Sequence, residues 1–195
     1  GALKVPVDAP TPRVTAGLGV IPRIVRDGAE IYRGKLGRAE ADERLAGLYR
    51  PYHQALAALV AETHARFGVA VLIDCHSMPS ALSVPDIVLG DRYGASAAPV
   101  LTARAEQALR REGFSVVRNT PYAGGHTTAT YGRVASGIHA LQIEINRALY
   151  LDEDKIAKKP AFESVRTRLT RAMQWLTAIP LSQLGGREPL PEAAE

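Results

Sequence analysis

Val69 to Ile73 is a continuous apolar run that stops abruptly at Asp74, Cys75, His76 and Ser77. An unbroken apolar run of this length, without polar alternation, is the pattern of a strand buried on both faces, and such strands belong to parallel sheets covered by helices. The residues that follow then fall at the carboxyl end of a strand, where open α/β sheets place their ligand crevice. One short segment thus narrows both the architecture and the place where chemistry is to be sought.

The remaining pattern agrees with that architecture. Apolar residues recur at helical spacing from Ala39 to Phe67 (Leu45, Leu48, Tyr49, Tyr52, Leu56, Leu59, Val60, Phe67), with Pro51 expected to kink or split the helix and Gly68 to end it. A short strand is expected at Asp86–Leu89, a helix at Ala97–Glu112 between Pro99 and Gly113, and a strand at Phe114–Arg118. Asn119–Gly137 carries Gly124, Gly125, Gly132 and Gly137 without packing periodicity and reads as a long, functional loop. Ile138–Asn146 alternates, sending Leu141, Ile143 and Ile145 one way and Gln142, Glu144 and Asn146 the other. A last helix, Ala161–Ala178, buries Phe162, Val165, Leu169, Met173 and Leu176. The expected fold is α/β, three-layered, a mostly parallel sheet with helices on both faces. Residues 1–195 are expected to form one domain, with 1–23 an extended connection and 180–195 a loosely held tail. In that fold His76 and Glu144 meet above neighbouring strand ends.

Composition excludes several function classes. Hydrophobic residues make up 46% of the 195, charged residues 23%, and no apolar run approaches the roughly 20 residues of a bilayer span. The net charge of +4 comes without a run of Lys and Arg, so neither a membrane nor a nucleic-acid partner is expected. The residues before Pro12 lack the apolar core of a secretory signal and Cys75 is the lone cysteine, which together point to a reducing, cytoplasmic setting. G-x-S-x-G and both phosphate-binding glycine motifs are absent, which argues against a serine hydrolase using Ser77 and against a nucleotide site.

Among the chemically competent residues His76 stands first. It is either a metal ligand whose tautomer Asp74 fixes or a hydrogen-bonded core residue. Glu144, a carboxylate on an otherwise apolar strand, is either a tuned general base or half of an ion pair with Arg147. His126 follows two glycines that let backbone approach a ligand, and is either a substrate contact or an exposed loop histidine. His139 reads as a core residue, and Cys75 as a small buried hydrophobe.

Three segments, GLGVIPRIV (17–25), VLIDCHSMPS (71–80) and VRNTPYAGGHTTATYGR with HALQIEINRALYLDE (117–153), resemble the N-formylglutamate amidohydrolase family. The resemblance implies the fold of the zinc carboxypeptidase-type phosphorylase/hydrolase-like proteins. It implies hydrolysis of the N-acyl amide of an acidic amino acid, N-formyl-L-glutamate going to glutamate and formate, a reaction of histidine breakdown. It further implies zinc at one site, with His76 as the last of three protein ligands and Glu144 as the base that activates water. Arg118, Arg133 and Arg147 lie in the motif segments and are candidates, with His126, for binding the acidic substrate. The family's other two ligands lie in a P-H-S-G-like segment that this chain does not contain, so they are expected from a missing N-terminal segment or a second chain. Two further readings stay open: a metal-free, non-catalytic binding domain, and a metalloamidase or peptidase for another N-acyl amino acid.

Overall fold

The computed structural model describes residues 12–25, 28–80 and 85–187. They divide into two compact units, 1–56 and 57–195. The first unit contains the short helix α1 (Pro12–Thr15), where an extended connection was expected, and α2 (Arg38–Arg44). Leu36 and Ala41 form a small buried cluster with Ile21 and Tyr32 packed against it.

The long helix predicted over 39–67 is divided. A π-helical stretch, Leu45–Tyr49, follows α2 and leads into α3 (Arg50–Phe67). Pro51 supplies the reason: it has no N–H for an ordinary bond to the carbonyl four residues back, its ring crowds that carbonyl, and a wider turn before it relieves both. Arg50 N–H accordingly donates to Leu45 O, five residues back. No residue of α3 is fully buried, and Tyr52 and Leu59, two of the apolar residues at helical spacing, are each 61% exposed.

The second unit is built on a four-stranded sheet: β1 (Ala70–Met78), β2 (Ile87–Gly90), β3 (Val116–Arg118) and β4 (Ile138–Asn146), in the order β1-β4-β2-β3. β1 pairs parallel with β4 and β2 parallel with β3, while β2 and β4 run antiparallel. The sheet is thus mixed and mostly parallel, and the fold is α/β. Ile87, Leu89, Leu141 and Ile143 share one face, as their registers require, and are packed in one core with the helices α4 (Pro99–Arg111) and α6 (Phe162–Thr177). Those helices contribute Leu101, Ala105, Ala108 and Leu109, and Val165, Ala172 and Leu176, residues spaced three, four or seven apart that make one stripe on each. Trp175 of α6 lies between the guanidinium groups of Arg104 and Arg111 of α4, at 4.0 and 4.3 Å from the ring centre.

The stretch expected to be loop, 119–137, contains α5 (His126–Tyr131) and a 3-10 turn at Val134–Ser136. A small hairpin, β5 (Leu151–Asp152) with β6 (Ala157–Lys158), follows β4 and was not foreseen. The tail is held more firmly than expected up to Arg187: Leu184 joins the core and Arg187 N–H donates to Phe67 O at 2.8 Å. The rest of the predicted tail, and the beginning of the predicted connection, lie outside the described residues. No helix among the described residues is long and apolar enough to cross a membrane.

Candidate active site

Register carries the site. His76 stands opposite Glu144 and Asp74 opposite Gln142 on the parallel pair β1–β4, so all four side chains project from one face, opposite to that of Ile73, Leu141 and Ile143. The alternation read from Ile138–Asn146 thereby becomes two surfaces, an apolar one against α4 and α6 and a polar one over β1 and β4.

On the polar face His76 lies between two carboxylates. Its Nε2 is 3.1 Å from Asp74 Oδ1, and its Nδ1 is 3.6 Å from Glu144 Oε1, a charge contact rather than a hydrogen bond. Gln142 Nε2 donates to Glu144 Oε1 at 2.7 Å. The second oxygens, Asp74 Oδ2 and Glu144 Oε2, are buried without a hydrogen-bond partner among the described residues. Glu144 is 6% exposed. Burial pushes its carboxyl above the usual range; His76 and Gln142 oppose the shift, Asp74 adds to it, and burial prevails.

A glycine-bearing loop closes over this face. Gly125 N–H donates to Gln142 Oε1 at 2.7 Å, and Arg92 N–H to Ala123 O at 2.7 Å. Gly90 stands opposite Gln142 at the end of β2, and a Cβ placed there would meet Gly124 N at 2.6 Å and Ala123 C at 2.8 Å. The close approach of two backbones is what this glycine permits. Asn119 and Asp91 anchor the other end of the loop: Asn119 Nδ2 donates to Asp91 Oδ1 at 2.8 Å, and Asn119 Oδ1 accepts from Asp91 N at 3.1 Å. The loop delivers His126 to the first position of α5, next to the docked Gly125, where the side chain is exposed and its Nε2 lies 3.3 Å from Thr130 Oγ1.

The three candidate arginines are not gathered together. Arg147, just after β4, reaches β1: its Nε donates to Ser77 Oγ at 3.1 Å and its Nη1 to Glu153 Oε1 at 3.3 Å. Glu153 also accepts from the backbone N–H and hydroxyl of Ser80, bonds that hold its carboxyl below the usual range. Arg147 therefore braces the exits of β1 and β4, and its ion pair is with Glu153. Arg118 lies opposite Leu89, on the helix-covered face, and is paired with Glu106 of α4 at 2.5 Å. Its expected place beside the substrate is corrected by this geometry, because β3 and β1 form opposite edges of the sheet. Arg133 bridges Ile138 at the start of β4, the far end from Glu144, and its side chain is exposed.

His139 is buried, its Nδ1 accepting from Ala98 N–H at 3.3 Å. Cys75 is exposed and not buried as expected. It shares the register and face of Ile143, but among the described residues β1 has a sheet neighbour on one side only, so the residue lies at the margin of the core. Gln142 was visible in the sequence as a polar residue on a buried strand but was not singled out. The signal that identifies it is its pairing across strands with Asp74 and Gly90.

Among the described residues no group of three or more His, Cys, Asp and Glu is placed to hold a metal ion. His76 also has its Nε2 engaged by Asp74. The residues present do not fit a zinc site by themselves.

Comparison with known proteins places these residues in context. The sequence model of the N-formylglutamate amidohydrolase family matches residues 5–151. Over 149 residues the chain is 38% identical to the N-formylglutamate deformylase of Pseudomonas aeruginosa, covering 71% of this chain and 56% of that protein. Over 147 residues it is 33% identical to the N-formylglutamate deformylase of Pseudomonas putida, covering 71% and 55%. The chain thus spans about half the length of the curated relatives it matches. The crystal structure of an N-formylglutamate amidohydrolase from Ralstonia eutropha superposes with a TM-score of 0.80 at 34% identity, over 95% of this chain and 68% of that one. A gene product of Agrobacterium tumefaciens shares the fold, with a TM-score of 0.60 at 22% identity.

Proposed function

This chain belongs to the N-formylglutamate amidohydrolase family, and from that premise we propose that it contributes the catalytic base of an amidohydrolase acting on N-formyl-L-glutamate. The observation that carries the reading is the pairing of His76 with a buried Glu144 on adjacent parallel strands, beneath a glycine loop. A carboxyl raised toward neutrality by burial accepts a proton from water more readily than an ordinary glutamate does.

In the proposed reaction a water attacks the formyl carbon while Glu144 takes its proton. Oε1 is already an acceptor for Gln142, so Oε2 is the oxygen left to receive it. The same carboxyl then returns the proton to the departing amine as the C–N bond breaks, giving formate and glutamate. His76, held by Asp74, presents its Nδ1 side toward Glu144 and limits where the carboxylate can turn. His126, beside the loop residue docked on this face, and Arg147, whose charge reaches Glu144 from the strand exits, are the proposed contacts for the substrate's carboxylates. Arg133, bridged to Ile138 about 20 Å along β4 from Glu144, is too far for its side chain to join them.

Zinc, with His76 as one ligand, belongs to the proposal only if further ligands come from outside the described residues, and no step above depends on it. A cytoplasmic setting and a place in histidine breakdown belong to the same proposal.

The test is formate release from N-formyl-L-glutamate. Glu144→Gln is expected to lower turnover by about a hundredfold, the scale of a lost acid/base catalyst; unchanged turnover would remove Glu144 from the reaction. His76→Ala with metal analysis decides the ligand role: zinc bound as in the wild type would end it, and loss of zinc without loss of turnover would remove zinc from the reaction. Binding of N-formyl-L-glutamate without formate release would instead identify a non-catalytic relative.

A further inference from the structure

The Gln142 side chain makes two hydrogen bonds in opposite directions, each at 2.7 Å. It is 3% exposed, so neither bond is exchanged with bulk water at low cost. Its orientation is fixed by chemistry. Gly125 N–H is a donor and needs the amide oxygen, which leaves the NH2 group for the Glu144 carboxylate. Position matters as much as type. Gln142 stands two residues before Glu144 on β4, opposite Asp74 on one side and Gly90 on the other, and Gly90 is the residue over which the loop backbone lies.

We propose that Gln142 is a positioning residue that couples the docking of the 123–126 loop to the orientation of the Glu144 carboxylate. One amide does both, so loop and base are set together: when Gly125 is docked, the amide presents its NH2 to Oε1, and when the loop lifts, the amide is free to turn and the carboxylate loses its neighbour. The inference rests on the reading of Glu144 as base.

Two substitutions separate the two bonds. Gln142→Glu keeps an acceptor for Gly125 N–H and replaces the amide donor by a carboxyl that shares one proton with Glu144, since two buried carboxylates this close do not both ionise. Gln142→Leu removes both. The measurements are steady-state kinetics with N-formyl-L-glutamate and hydrogen exchange of the Gly125 amide. For Gln142→Glu, kcat is expected to fall at least about tenfold, because the shared proton occupies and turns the Glu144 carboxyl, with KM within about twofold and Gly125 protection retained. For Gln142→Leu, Gly125 protection is expected to be lost, with kcat at least as low and KM raised. Unchanged kcat in Gln142→Glu, or wild-type protection of Gly125 in Gln142→Leu, would overturn the proposal. Gln142→Glu is close in size to the native residue and serves if the leucine variant does not fold. Glu144→Gln keeps the two ideas apart. If it stays active, the base reading fails, whereas an inactive Glu144→Gln beside a fully active Gln142→Glu sinks the coupling alone. The exchange readout needs no turnover and decides the loop bond by itself.

Discussion

Glu144 is costly where it stands. Its folded carboxyl binds a proton more tightly than an unfolded glutamate does, because burial disfavours the charge. By linkage, such a group leaves stability intact below the ordinary glutamate range and subtracts from it as pH rises through the raised folded value. Glu144→Gln, which keeps the shape without the charge, is therefore expected to melt at a higher temperature than the wild type at pH 8, with the difference vanishing in acid. Thermal melts across pH check this, and a variant less stable at pH 8 would show the charge to be compensated. The same residue shows what a sequence can reveal: a glutamate amid Leu141, Ile143 and Ile145 stands out, since burying it needs a reason. Arginines are harder to read, because any of them finds an acid somewhere. Arg118 found Glu106 and Arg147 found Glu153, partners fixed by tertiary packing rather than by local pattern.

Among the elements, β4 and the end of β2 do the placing. Gly90→Ala is expected to cost about 1–3 kcal/mol, the range for forced overpacking, because the new methyl meets backbone at Gly124 rather than a side chain able to move. Urea unfolding measures the loss, and faster hydrogen exchange at Ala123–Gly125 would localise it to the loop. An unchanged midpoint would show that the loop lifts freely. Strands and helices with strong periodicity were legible: Ile138–Asn146 agrees at both ends, and α4 and α6 differ from expectation by a residue or two. The α5 helix was not, since HTTATY has few good helix formers and lacks an apolar stripe. Its turn is held by tertiary bonds at Gly125 and by Thr128, which is buried. The antiparallel pairing of β2 with β4 was equally invisible, because apolar runs do not record strand direction.

For the molecule as a whole, the apolar periodicity of the chain exceeds what its described residues bury. Leu59 on α3 is 61% exposed, and Val71 is 37% exposed on β1, a strand with a single sheet neighbour among the described residues. Exposed apolar residues and an open sheet edge favour self-association. Leu59→Lys is expected to reduce concentration-dependent light scattering while changing stability by no more than about 0.5 kcal/mol, as for an ordinary surface site. Unaltered scattering would clear this residue of the tendency. The open margin of β1 has another side. It exposes the only thiol in the chain, Cys75, one residue from His76 and on the reverse of its strand. Partial desolvation at the margin of the core, with the Asp74 charge adding to it, pushes that exposed thiol up from its ordinary range, so it reacts sluggishly at neutral pH and faster in alkali. A fluorophore coupled there would give one dye per molecule at a known address, an antenna behind His76 and Glu144 that senses their movement without intruding among them.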